Sequence, residues 1–205
     1  MPRLKLIFGF LIALLAASAA LLAIVLTIPQ PQQGQEGSGS STASIGGPFT
    51  LVATDGKTVT DQTFRGKWML IYFGYTLCPD ACPTTLTNMG IALQKLGPEA
   101  ARIAPLFITV DPKRDTVKVM AEYLKSFDPR IVGLTGSQAQ TEEAAKAYHI
   151  YVEPQRSDGD DYLVDHSAYI YLMSPHGKFV TVIAGDVPGE QMAGKLRKEL
   201  ARQST

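Results

Sequence analysis

Two apolar runs on either side of one amphipathic stretch constrain this chain most. Trp68–Tyr75, WMLIYFGY, is continuously apolar and aromatic, and Ile103–Val110 is a second such run, interrupted by Pro105. Short runs without alternation suit strands buried on both faces. Pro105, which has no N–H for a ladder, is expected to mark the beginning of the second strand. Between the runs, Leu86, Met89, Leu93 and Leu96 recur at helical spacing within Pro83–Leu96, and Gly97-Pro98 ends the pattern. Strand, helix, strand predicts a parallel crossover, whose sheet needs helices on both faces.

The remaining segments extend that unit. Thr116–Phe127 and Gln138–Tyr148 have helical patterns, with Thr116 and Ser137 or Thr141 available as caps, and Ile131–Leu134 between them reads as a short strand. Ala168–Met173 and Phe179–Ala184 are β-branched and aromatic runs joined by Ser174-Pro175-His176-Gly177, the pattern of an antiparallel hairpin. Pro188–Arg202 closes the chain as a helix. There is no internal repeat. The order fits an α/β fold of thioredoxin-like type, a mixed sheet with flanking helices.

Ahead of this domain lies an uncharged stretch, Leu6–Ile28, preceded by Arg3 and Lys5. As a helix it would be roughly 35 Å long, enough to cross a bilayer core of about 30 Å. Ala17-Ser18-Ala19 resembles a signal-peptide cleavage site, but the apolar stretch runs well past the usual length of a signal. Residues 1–28 are therefore expected to be an uncleaved single-pass anchor. The flanking positive charge places the rest of the chain outside the cytoplasm. Residues 29–47, rich in Pro, Gln, Gly and Ser, read as a flexible linker, and 48–205 as the folded domain. The chain carries 19 basic and 19 acidic residues, so nothing advertises a nucleic-acid surface.

The only two cysteines, Cys78 and Cys82, fall where the first central strand gives way to its helix. A structural disulfide there would close a loop of a few residues and stabilise little. A redox dithiol needs a thiolate in an electropositive place. Pro83 at the first helical position, with Cys82 as the cap or its neighbour, would provide one from backbone N–H groups. Against redox catalysis alone stands the spacing, since thioredoxin-like reductases use C-x-x-C and here Pro79, Asp80 and Ala81 intervene. Two soft thiolates facing a common point suit Cu(I) or Zn(II), and an added imidazole suits copper. A third ligand would decide between these readings.

Three histidines are available. His149 sits at a helix-to-strand junction and His176 in the hairpin turn, where neither needs a function. His166 immediately precedes the strand 168–173. In thioredoxin-like folds the segment opening that strand passes beside the cysteine loop and usually carries a cis-proline. This chain has no proline between Pro154 and Pro175, and His166 stands about where that proline would be.

Taken together, GGPFTL at 46–51, FRGKWMLIYFGYTLCPDACPTTL at 64–86, PLFITVDPKRD at 105–115, FDPRIVGLTG at 127–136 and DYLVDHSAYIYLM at 161–173 resemble the Sco/SenC family of membrane-anchored copper proteins. The resemblance implies one copper ion, as Cu(I) or Cu(II), bound by Cys78, Cys82 and His166. It implies a metallochaperone that assists assembly of the dinuclear copper centre of cytochrome c oxidase. Its partners would be a copper donor protein and the copper-receiving oxidase subunit. Its place would be the inner membrane, with the C-terminal domain in the periplasm or an equivalent space. The alternative is a thiol-disulfide oxidoreductase in which Cys78 and Cys82 keep partner cysteines reduced. A thiol peroxidase fits less well, because the Thr or Ser expected three residues before its nucleophile is Tyr75 here. Asp165 is a candidate supporting group for His166. Asp111, Asp115 and Lys113-Arg114 follow the second central strand, at the end of an α/β sheet where sites commonly lie, but read as capping and surface charge. Tyr72, Phe73 and Tyr75 are candidates to line the approach to the cysteines but read mainly as core.

Overall fold

The computed structural model describes residues 45–155 and 162–202. The expected anchor, nearly all of the linker, and Gly159, Asp160 and Asp161 lie outside the described residues. Among those described, no helix is long and apolar enough to cross a membrane.

The two apolar runs are the middle of the molecule. The strands are β1 (Thr50–Ala53), β2 (Thr58–Thr60), β3 (Trp68–Gly74), β4 (Ile103–Thr109), β5 (Val132–Thr135), β6 (Val152–Pro154), β7 (Val164–His166), β8 (Tyr169–Met173) and β9 (Phe179–Ala184). The helices are α1 (Ala81–Leu96), α2 (Val117–Leu124), α3 (Gln138–Ala147) and α4 (Gly189–Arg202), with 3-10 turns at Asp61–Phe64 and Gly97–Arg102. Seven strands form one sheet in the order β2-β1-β5-β4-β3-β8-β9, and β6 and β7 pair separately. β3, β4 and β5 run parallel, while β1 and β2 on one side and β8 and β9 on the other are antiparallel. This is the expected thioredoxin-like mixed α/β sandwich.

Alternation along β3 divides the core in two, as the two-residue period of a strand requires. Trp68, Leu70 and Tyr72 face a layer built by Leu86, Met89 and Leu93 of α1, Met120 of α2, and Met192, Leu196 and Leu200 of α4. Met69, Ile71 and Phe73 face the other layer, with Phe49, Leu51, Tyr75, Val164 and Ala144 and Ala145 of α3. Fully buried leucines of this kind contribute about 1.5–3 kcal/mol each.

Local chemistry accounts for the element ends. Thr116 caps α2 by accepting from the Val119 N–H, and Ser137 with Gln140 forms a capping box at α3. Gly177, at φ 72°, closes the β8–β9 hairpin in a left-handed conformation that a side chain would strain.

Two expectations are corrected. α1 begins at Ala81, with Asp80 at its N-cap, so Cys82 lies inside the first turn and Pro83 one residue further on. Proline fits there because first-turn N–H groups have no partner within the helix. β4 begins at Ile103, which places Pro105 inside a central strand and not at its start. The β5 ladder starts only at Leu106, so the β5 side of β4 is still unpaired at Pro105, the circumstance in which a strand tolerates a missing donor.

Candidate metal centre

β3 delivers the chain to the carboxyl end of the parallel strands, where open α/β sheets place their sites. The loop 75–80 turns there, and α1 carries Cys82 back beneath it. Cys82 is fully buried and Cys78 partly so, and both are free thiols. Gly74 makes this packing possible: a Cβ at that position would lie 2.6 Å from the Cys82 Sγ.

The third group arrives from the small sheet. β6 and β7 pair antiparallel with Val152 opposite His166, and strands of three residues each are too short to show a period in the sequence. His166 Nε2 lies 3.5 Å from the Cys82 Sγ. The ligating atoms of Cys78, Cys82 and His166 all fall within 4.8 Å of one another. His166 Nδ1 faces the Ser167 carbonyl at 3.2 Å. With its proton on Nδ1, donated to that carbonyl, the ring can offer the Nε2 lone pair to a metal, whereas a proton on Nε2 faces the sulfurs as a donor.

The two thiols are electrostatically unequal. Cys78 is held down to about 4, first by the hydrogen bond from the Cys82 thiol, with further help from His166 and the backbone N–H groups of Cys82 and Asp80. The Cys82 N–H lies 3.4 Å from the Cys78 Sγ, so the first turn of α1 points a donor at the thiolate. Cys82 is shifted strongly upward, because it donates to Cys78, is buried, and stands beside that charge. The resting pair is thus one thiolate at Cys78 and one thiol at Cys82.

Aromatic residues wall the site. Tyr72 points its hydroxyl at the Cys82 Sγ, 3.6 Å away, and its ring meets the His166 ring edge-on at 6.0 Å. Tyr75 packs against His166 from another direction at 5.8 Å, and its hydroxyl accepts from the Val164 N–H at 3.2 Å. Phe73, by contrast, lies in the other layer with Tyr148 and Tyr171. Of the three candidates, Tyr72 and Tyr75 border the site and Phe73 is core.

The segment after β4 departs from the expected surface role. Asp115 is fully buried and accepts from the Thr76 N–H at 3.0 Å, the Thr76 hydroxyl at 2.5 Å and the Thr109 hydroxyl at 2.6 Å. Burial pushes its carboxyl upward, and the threonine donors oppose that shift. Asp111 is also buried; it pairs with Arg114 and accepts from the Tyr162 hydroxyl at 2.8 Å. Asp165 does not support the imidazole either. Its exposed carboxylate is engaged by Gln155 Nε2 at 3.0 Å, while His166 Nδ1 faces a backbone carbonyl instead. His149 and His176 are exposed and stand apart from the cluster.

These observations meet independent similarities. The SCO1 homolog 1, mitochondrial, of Arabidopsis thaliana is 45% identical over 147 residues, which cover 71% of this chain and 44% of that protein, so less than half of the relative's length is matched. Copper-bound ScoI of Bradyrhizobium japonicum superposes with a TM-score of 0.71 at 42% identity, covering 76% of this chain and 99% of that one. BsSco, a member of the Sco family of cytochrome c oxidase assembly proteins in which a disulfide switch is identified, matches at 0.61 and 26% identity, over 76% of this chain and 92% of its own. The SCO1/SenC family model itself matches residues 37–201. By fold, sequence and the residues gathered at the end of β3, this chain belongs to the SCO1/SenC family.

Proposed function

We propose that this protein carries one copper ion as cargo, held by Cys78, Cys82 and His166, and delivers it during cytochrome c oxidase assembly. The observation that carries the reading is the convergence of two sulfurs and one imidazole nitrogen within 4.8 Å. Two sulfurs and a nitrogen form a donor set for copper and a poor one for hard cations. Copper-bound relatives with the same fold support the choice of metal.

The residues divide the work. Cys78, ionised and partly exposed, is the first point of contact for an incoming ion. Cys82 loses its proton on binding, because a thiol must deprotonate to ligate. His166 completes the set through Nε2. Only three protein groups at the rim of the sheet are involved, so a partner's ligands can replace them in turn. The partners are a copper donor and the copper-receiving subunit of the oxidase. Leu6–Ile28 anchors the chain in the inner membrane with the folded domain on the extracytoplasmic side.

A second reading rests on the Cys78 thiolate, which is equipped for thiol-disulfide exchange with partner cysteines. The two readings separate at His166. Full-length chain in detergent is reduced, loaded with copper without oxygen, freed of excess metal, and assayed for copper per chain and free thiols. One equivalent in the parent, lost in Cys78→Ser, Cys82→Ser and His166→Ala, is the expected result. A folded, fully reduced parent that retains no copper refutes the cargo role and leaves the reductase.

A further inference from the structure

The two halves of the candidate centre belong to different parts of the fold. Cys78 sits in the loop after β3 and Cys82 in the first turn of α1, both against the main core. His166 sits on the β6–β7 pair, which shares no ladder with the seven-stranded sheet. The pairing of β8 with β3 brings the chain close to the cysteines just after His166, and the Val164 N–H reaches the Tyr75 hydroxyl, but the start of the histidine arm has no ladder to fix it and needs side-chain contacts.

The segment Asp111–Asp115 touches both halves. At one end the buried Asp115 carboxylate holds Thr76, two residues before Cys78, by its N–H and its hydroxyl. At the other end Arg114 donates to the Tyr162 carbonyl at 2.9 Å and lays its guanidinium over the Tyr162 ring at 3.7 Å. Asp111 completes that grip by accepting from the Tyr162 hydroxyl while pairing with Arg114. The Arg114 and Asp111 side chains are 13% and 5% exposed, so this is a packed contact and not a solvated ion pair. Tyr162 lies two residues before β7, which carries His166. The segment is itself fixed, since the Thr135 hydroxyl of β5 donates to the Asp115 carbonyl at 2.7 Å and the Asp111 N–H donates to the Thr109 hydroxyl at 2.9 Å.

We propose that Asp111–Asp115 is a two-ended clamp, Asp115 holding the cysteine loop and Arg114 with Asp111 holding the histidine arm, which positions His166 against the dithiol. The proposal rests on the copper-cargo reading for its metal consequence, but the clamp is a property of the metal-free chain. Arg114 is a positioning residue that acts through Tyr162. Lysine cannot replace it, because a single ammonium does not donate to the carbonyl, pair with Asp111 and cover the ring at once.

The test uses the full chain in detergent and four variants, Arg114→Gln, Arg114→Lys, Tyr162→Ala and His166→Ala. Without metal, hydrogen exchange at the amides of β6 and β7 is expected to quicken at least about tenfold in Arg114→Gln and Tyr162→Ala, while the amides of β3 and β4 keep the parent's protection. With Cu(II) added, the parent is expected to show nitrogen splitting in its electron paramagnetic resonance spectrum. Arg114→Gln, Arg114→Lys and Tyr162→Ala are expected to lose that splitting as His166→Ala does, and to bind copper about 10–100-fold more weakly, the usual cost of removing a residue that orients a ligand. Parent-like splitting and affinity in Arg114→Gln and Tyr162→Ala overturn the clamp. Exchange that quickens equally in β3 and β4 also overturns it, in favour of a general role in stability. A parent that takes up no copper overturns the cargo reading, and the clamp then stands on quickened exchange in the arm alone or falls with its absence.

Discussion

Replacing Gly74 by alanine tests whether the fold and the cysteine site share one packing constraint. A Cβ at Gly74 would meet the Cys82 Sγ at 2.6 Å, Phe107 Cε2 at 2.8 Å and Tyr72 Cε1 at 3.3 Å. Ordinary contacts of this kind lie at about 3.5–4.0 Å, so the first two neighbours must each retreat by about 1 Å. Neither has slack. Cys82 is in the first turn of a helix anchored by the fully buried Leu86, Met89 and Leu93, and Phe107 is fully buried on a central strand. Overpacking at such a site costs about 1–3 kcal/mol, offset by up to about 1 kcal/mol from the stiffer unfolded chain. A net loss of about 1–2 kcal/mol lowers Tm by roughly 2–8 °C in a domain of this size. Trp68, the single tryptophan and almost fully buried, reports the transition by fluorescence. Displacement of the Cys82 sulfur also opens its 3.5 Å approach to His166, so copper retention is expected to fall with stability. Gly194→Ala is the control: it lies within α4 with nothing near its added Cβ, and is expected to stabilise by about 0.5–1 kcal/mol. Parent-like stability and copper retention in Gly74→Ala would refute the reasoning, because the space behind Cys82 would then be free to yield.

The same contacts set three further outcomes. Alkylation of the reduced chain is expected to show one fast thiol whose rate holds from neutral pH downward and halves near pH 4, set by Cys78; in Cys82→Ala the midpoint climbs toward the ordinary thiol range, and an unmoved midpoint would mean that Cys82 is not the principal donor. Asp115 has its folded-state pKa raised by burial, so its contribution to stability is greatest at low pH and declines as pH rises through the folded value. The stability gap between the parent and Asp115→Asn, read from urea midpoints between about pH 4 and 7, is expected to narrow with rising pH, and a widening gap would reverse the assignment. Ser137→Ala removes the α3 capping box and is expected to cost about 1 kcal/mol while leaving copper retention unchanged, since α3 contributes none of the three ligating groups.

Much of this architecture is legible in the sequence because burial writes itself as composition. Trp68–Gly74 and Ile103–Thr109 are strands buried on both faces, and only unbroken apolar runs satisfy that condition. The spacing of Leu86, Met89 and Leu93 declares a helix for the same reason. The cysteine pair stands out because its residues are rare and only four positions apart, and His166 because it replaces an expected proline. Features set by polar groups meeting across the fold leave no such trace. Asp115 and Thr76 are 39 residues apart, and Asp111 and Tyr162 are 51 apart. An aspartate followed by basic residues reads as surface because most such aspartates are solvated. Only the crossover that brings the end of β4 beside the end of β3 buries these two and converts them from charge on a loop into acceptors for the cysteine loop and the histidine arm. Asp165 is the converse case. Adjacency to His166 suggests partnership, but neighbouring residues of a strand point to opposite faces, so the carboxylate beside the histidine in sequence is directed away from it in space.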